Sequence, residues 1–251
     1  DVNKDKGLSK EQKKQINVST IHKLARSIVE KNHGTKDINF KPHFKIVIGD
    51  SWETEIWDDV IELCEIDKVC SWDSMKKKFY NDDTFTDENW SKLLEVYFSI
   101  SSYYNAISFP ALIVLATKAL IENTELIEED YFIFDEYQDF NQSEENLLEQ
   151  LVKKAKGTLL VGDDDQVLYE NLKLGNAKLI RQHYNSTSKT NAMLPYCGRS
   201  THHITKLASH FIEQDIDTEC INKVYLPLEF KEDAMKVSCV ACAQPSGAVD
   251  Y

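Results

Sequence analysis

The chain has 251 residues and a formal charge of −13, with 42% hydrophobic and 28% charged residues. That composition is ordinary for a soluble globular protein of one large domain or two small ones. It excludes a membrane-spanning helix, since no run of about eighteen apolar residues occurs, and it argues against binding nucleic acid through the whole surface.

The charge is uneven, however. Residues 1–40 carry nine Lys/Arg against five Asp/Glu, whereas residues 121–150 carry eleven acids and no Lys or Arg. A local basic face is therefore compatible with the acidic total. The opening "DVNKDKGLSKEQKKQ" is polar and lacks the apolar core of a signal peptide. It also lacks an initiator Met, which leads us to expect a piece of a longer protein. Cys64, Cys70, Cys197 and Cys220 are scattered, which suits reduced thiols and a cytoplasmic location.

In chain order, "INVSTIHKLARSIVEKN" (16–32) reads as a short strand running into a helix. Ile16 and Val18 alternate, Thr20 can cap, and Ile21, Leu24, Ala25 and Ile28 fall at helical spacing. Residues 38–108 hold all four tryptophans (Trp52, Trp57, Trp72, Trp90) and read as a mostly helical insertion with its own small core. "SFPALIVLATKALIENTELI" (108–127) is expected to be a helix capped by Ser108, with Pro110 in its first turn. "YFIF" (131–134) reads as a buried strand. "SEENLLEQLVKKA" reads as a helix with acids early and lysines late, closed by Gly157. "TLLVGDDDQ" reads as a second buried strand. Apolar strands alternating with helices imply a parallel sheet covered on both faces. "STHHITKLASHFIEQ" (200–214) is expected to be a helix capped by Ser200 or Thr201. "INKVYLPLEF" is read as one strand, and "AQPSGAVDY" has linker composition.

Both predicted strands end in acids: Asp135 and Glu136 after the first, Asp163 and its neighbours after the second. Ligands of parallel α/β sheets gather at that carboxyl edge. Adjacent carboxylates are costly unless something neutralises them, and Mg²⁺ bound with substrate phosphates is a common solution. A second carboxylate can then act as base toward water. The plain alternative for one such pair is a solvated strand end or a helix cap.

The segments "FIFDEYQDFNQSE" and "LLVGDDDQVLY" resemble motifs II and III of superfamily 1 DNA helicases of the UvrD/Rep type. "VSTIHKLA" resembles that family's "TFHSLA" segment, and "MLPYCGRSTHHITKLA" its motif IV. The ordered matches span residues 17–213. The resemblance implies an α/β fold with a RecA-like parallel sheet of the P-loop NTPase type, flanked by helices. Residues 1–37 and 109–192 would form that domain, 38–108 its helical insertion, and 193–251 the start of a second RecA-like domain.

It also implies ATP and Mg²⁺ as cofactors, single-stranded DNA or duplex/single-strand junctions as partners, and 3′ to 5′ movement. By the same resemblance Asp135 would hold Mg²⁺, and Glu136 would polarise the attacking water. Gln138 and Asp163 would belong to the nucleotide site. Gln166 would sense the γ-phosphate, and Arg199 would contact it from the second domain. Thr20, His22 and Tyr169 would face DNA. On plainer readings, Thr20 is a helix cap, His22 a surface residue and Tyr169 a core-edge residue.

The departures are equally specific. No "GxxxxGK[ST]" phosphate loop occurs in the chain, and "ENLKLGNA" lacks the family's Trp and Arg after motif III. The chain by itself is therefore expected not to turn over ATP. Two rival readings remain. One is a helicase-like module that binds DNA or protein without hydrolysis. The other is a metal-dependent nuclease, in which Gln166 and Arg199 would have no role. A phosphate loop upstream in the reading frame would favour the enzyme. "CVAC" (239–242) could be half of a zinc site, but no second such pair stands at zinc-ribbon spacing.

Overall fold

The computed structural model describes residues 9–32, 40–64, 71–81, 88–167, 175–187, 189–213 and 220–227. The chain divides into two compact units, Asp1–Asp163 with Val167–Leu179, and Asp164–Gln166 with Ile180–Tyr251. Tyr169, Cys70, Cys239 and Cys242 lie outside the described residues. Among those residues no helix is long and apolar enough to cross a membrane.

The first unit is built on α6 (Phe109–Glu122). Ten of its residues are buried, including every one from Pro110 to Thr117. A helix apolar on all sides must be enclosed by other elements. It packs against α2 (Ile21–Asn32) and α7 (Gln142–Val152), and so forms the centre of the unit. Ser108 occupies the N-cap position, as its place before Pro110 suggests, but its side chain makes no cap bond. Its hydroxyl instead meets the Tyr97 hydroxyl at 3.0 Å. The helix stops at Glu122, short of 127, because Asn123 leaves the helix and its side chain accepts the Glu125 N–H in a 3₁₀ turn.

α2 begins at Ile21, and Thr20 caps it by accepting the Lys23 N–H at 3.2 Å. No strand precedes it: residues 16–20 are irregular, with Ile16 43% and Val18 73% exposed. The alternation is real, but no strand among the described residues pairs with it. A five-residue helix, α1 (Lys10–Lys14), lies just before, closed by a Ser9–Gln12 capping box.

The segment between α2 and α6 is helical as expected, with α3 (Asp50–Cys64), α4 (Trp72–Asn81) and α5 (Glu88–Tyr104). Trp57, Trp72, Phe79 and Tyr97 form its aromatic core, the Trp72 and Tyr97 rings stacking at 5.7 Å. Trp72 also donates its indole N–H to buried Glu53. Trp52 does not join this core and is 65% exposed. Two short strands flank the helices, β1 (Lys45–Val47) and β2 (Ala106–Ser108), paired in parallel.

β3 (Tyr131–Phe134) and β4 (Gly157–Leu160) pair in parallel, with Ile133 opposite Leu159. Between them α7 starts with a capping box, Asn141 and Glu144 exchanging bonds with each other's backbone. Gly157 does not close α7; it opens β4, and a Cβ there would meet the Tyr131 ring at 3.1 Å. The buried-strand expectation holds for one face only. Phe134 packs inward, whereas Tyr131, Ile133 and Leu159 are 70%, 73% and 53% exposed. The sheets are small: each described pair has two strands.

In the second unit, β5 (Tyr196–Cys197) pairs in parallel with β6 (Leu226–Pro227), so the strand expected over "INKVYLPLEF" is short where described. α8 (Ala177–Asn185) spans the boundary between the units, and α9 (His202–Glu213) follows Thr201 directly.

Candidate active site

The acids of the first cluster stand where β3 ends. Asp135 leaves the strand, and its Oδ1 accepts the Glu136 N–H at 3.0 Å. Glu136 then takes a left-handed backbone, φ 53° and ψ 40°, an uncommon state for a residue with a Cβ. That kink turns the chain into a 3₁₀ turn, Tyr137–Asp139. Both acid side chains remain exposed, while Tyr137 and Gln138 are buried.

Tyr137 anchors the turn from below. Its hydroxyl donates to the buried carboxylate of Glu145 on α7. Burial, then that bond, pushes the phenol far above its ordinary range. Its backbone N–H donates to Val161 O at 2.9 Å, and Val161 N–H donates to Phe134 O at 2.8 Å. The β3–β4 pairing thus continues past the strands. Gln138 Nε2 donates to Glu136 Oε2 at 2.8 Å, and its Oε1 accepts the Asp163 N–H at 3.0 Å. Asp135, Glu136, Gln138 and Asp163 are therefore assembled within one unit. Gly175 approaches the same turn from behind, where a Cβ would meet Asp139 O at 3.2 Å.

This arrangement offers oxygen donors suited to a hard cation such as Mg²⁺, which takes one or two carboxylates and keeps several waters. Asp135 lies exposed at the strand end, with Glu136 beside it.

Gln166 and Arg199 belong to the second unit and are both exposed. Gln166 ends the 3₁₀ turn Asp164–Gln166. Arg199 lies in the turn after β5, where the N–H groups of Ser200 and Arg199 bond the Cys197 sulfur and pull that thiol down to about 7. Thr20 and His22 sit at the start of α2; His22 packs edge-on against Phe109 at 4.8 Å.

Sequence reasoning missed Asp164. Its carboxylate is fully buried and pairs with Arg181 at 2.8 Å and with Lys223, and it also accepts the Ile221 N–H. Burial alone would raise this acid; the bonds from Lys223, Ile221 and Arg181 outweigh it and hold the group below its ordinary value. The only signal available was that "GDDDQ" holds three acids, one more than a cation site needs, without showing which of them is buried. Asp164, Asp165 and Cys220 also bring ligand-type atoms within 4.8 Å of one another. Lys223 and Arg181 already neutralise that group, so it reads as an ion-pair hub. Asp135 is not part of it. His202 and His203 contact each other edge-on, with ring centroids 6.1 Å apart. A cleft between α2 and residues 126–129, lined by Asn17, Lys23, Lys31 and Glu129, contains none of the residues selected from sequence.

The fold and the acid edge define an α/β protein with carboxylates displayed at the carboxyl ends of short parallel strands. Residues 3–188 match the UvrD/REP helicase N-terminal domain, and the chain belongs to that helicase family. It is similar to a protein of Buchnera aphidicola subsp. Schizaphis graminum named ATP-dependent DNA helicase Rep, at 27% identity over 186 residues, 62% of this chain and 26% of that protein. The protein of the same name from Buchnera aphidicola subsp. Acyrthosiphon pisum is 25% identical over 174 residues, 62% of this chain and 27% of its own length. The chain thus spans about a quarter of the length of these relatives.

Proposed function

We propose that this chain carries part of an ATP-dependent DNA helicase or translocase that moves 3′ to 5′ on single-stranded DNA. The reading adds a RecA-like domain interrupted by a helical insertion at 38–108, and a second such domain starting near residue 193. The observation that carries it is the pair Asp135 and Glu136, exposed at the end of β3 and bridged through Gln138 to the end of β4.

Mg²⁺, when bound with ATP, would neutralise phosphate charge in transfer to water. Asp135 would hold the ion. Glu136 would accept the proton of the attacking water and orient it. Gln166 would sense the γ-phosphate, and Arg199 would offset charge developing on it. Asp163 would complete the edge of the nucleotide site. On the DNA side, Thr20 accepts a helix-capping bond and still has its own hydroxyl proton to donate to a phosphate. His22, and Tyr169 outside the described residues, would line the same path. Single strands or duplex/single-strand junctions are the partners of this reading, and the cytoplasm its location. The chain by itself, lacking a phosphate loop, would not turn over ATP.

The test is ATP hydrolysis by the whole protein, with and without single-stranded DNA. Glu136→Gln should lower turnover about 10²- to 10⁴-fold, the usual contribution of a positioned base. Turnover that survives this change sinks the proposal. DNA binding with no hydrolysis in the unmodified protein would point to the helicase-like binding module.

A further inference from the structure

We propose that Gln138 is a positioning residue that acts through Glu136, and not a direct nucleotide ligand. The inference rests on the reading of Glu136 as the base.

Three observations carry it. First, Gln138 is only 1% exposed, so its carboxamide faces the protein. Second, each end of that carboxamide has a partner: Nε2 on the Glu136 carboxylate at 2.8 Å and Oε1 on the Asp163 N–H at 3.0 Å. Third, the left-handed backbone at Glu136 takes the main chain away from β4 just where the ladder would continue. Tyr137 supplies the last backbone rung, to Val161. The Gln138 side chain supplies the next one, reaching Asp163 in place of a peptide carbonyl.

The amide is the right chemistry for this place. It must donate to a carboxylate and accept from a backbone N–H at once, which Glu at this position cannot do when ionised and Leu cannot do at all. A donor on one Glu136 oxygen fixes the carboxylate's rotamer and leaves the other oxygen for water. The same side chain makes the geometry at the end of β3 depend on the end of β4, so movement of residues 161–163 would displace the base.

Two variants separate the functions. Gln138→Glu keeps the acceptor for Asp163 but loses the donor to Glu136; Gln138→Leu loses both. In this chain, amide hydrogen exchange at Asp163 should stay slow in Gln138→Glu and speed up about tenfold in Gln138→Leu, as expected for one lost hydrogen bond. In the whole protein, both variants should lower kcat for ATP at least tenfold with KM changed less than twofold.

A raised KM with kcat intact would make Gln138 a nucleotide ligand and overturn the proposal. So would an Asp163 amide that already exchanges freely in the unmodified chain, a readout that does not depend on either variant folding. Unchanged kcat in both variants, alongside loss of turnover in Glu136→Gln, would overturn the positioning role alone. Turnover that survives Glu136→Gln would overturn the catalytic reading and this role together.

Discussion

Two acid clusters follow two neighbouring strands in the sequence, and the protein treats them in opposite ways. Asp135 and Glu136 are left exposed, and no basic side chain among the described residues pairs with them. Asp164 is fully buried and meets Arg181 and Lys223, while Asp165 meets Lys223 at 2.8 Å and Tyr225 at 3.1 Å. The residue types are nearly identical, so the difference lies in what surrounds them. A carboxylate compensated by two internal cations is structural. On the proposed reading, a carboxylate kept at a strand end in a left-handed backbone would be held for a ligand.

The largest expected effect tests the exposed cluster. Glu136→Gln should cost orders of magnitude in ATP turnover while leaving thermal unfolding of the chain nearly unchanged. The buried cluster should show the reverse. Asp164→Ala removes the buried carboxylate that part-buried Arg181 and Lys223 share, and breaking a buried ion pair from one side costs up to about 3–5 kcal/mol. Chemical denaturation should reveal that loss in the second unit. Asp135→Asn keeps the acceptor for the Glu136 N–H, so it should fall within about 0.5 kcal/mol of the parent. Equal destabilisation by the two Asp substitutions would erase the contrast.

Smaller effects appear in pH dependence. Asp164 has a depressed folded value, so its contribution is present above its ordinary value of 3.8 and is lost as pH falls below it. Stability curves of parent and Asp164→Ala should converge in that acid range. Tyr97 behaves oppositely. Burial raises its phenol from 10.0 to about 12, so its contribution is intact below 10 and is lost as pH climbs toward 12. Tyr97→Phe should remove that alkaline loss and cost about 1 kcal/mol at neutral pH, for its bond with Ser108.

Local signals in the sequence were read well where the cause was local. The four residues of β3, the Pro-started α6 and the cap of α2 at Thr20 all follow from neighbours a few positions away. The acid edge was legible because two successive hydrophobic runs both end in carboxylates. Readings failed where a distant partner decided the outcome. Ser108 looked like a cap, but Tyr97 takes its hydroxyl. Ile16 and Val18 alternate like a strand yet have no strand beside them among the described residues. Tyr131, Ile133 and Leu159 read as core from hydrophobicity alone, which is silent about whether a second layer covers them. Asp164 was indistinguishable in sequence from Asp163 and Asp165, since its cations come from residues 181 and 223.

The left-handed glutamate has a consequence for how this protein can change. A non-glycine residue in that conformation costs about 1–2 kcal/mol, and Asn or Gly would sit at position 136 more comfortably. Screening variants for heat resistance would therefore reward the loss of Glu136 and yield a sturdier protein without its proposed base. On the proposed reading, selection for turnover would pull the other way. With Glu136 as the proposed base, endurance and catalysis would compete at a single peptide, and the strain there would be the local form of a stability–activity trade-off.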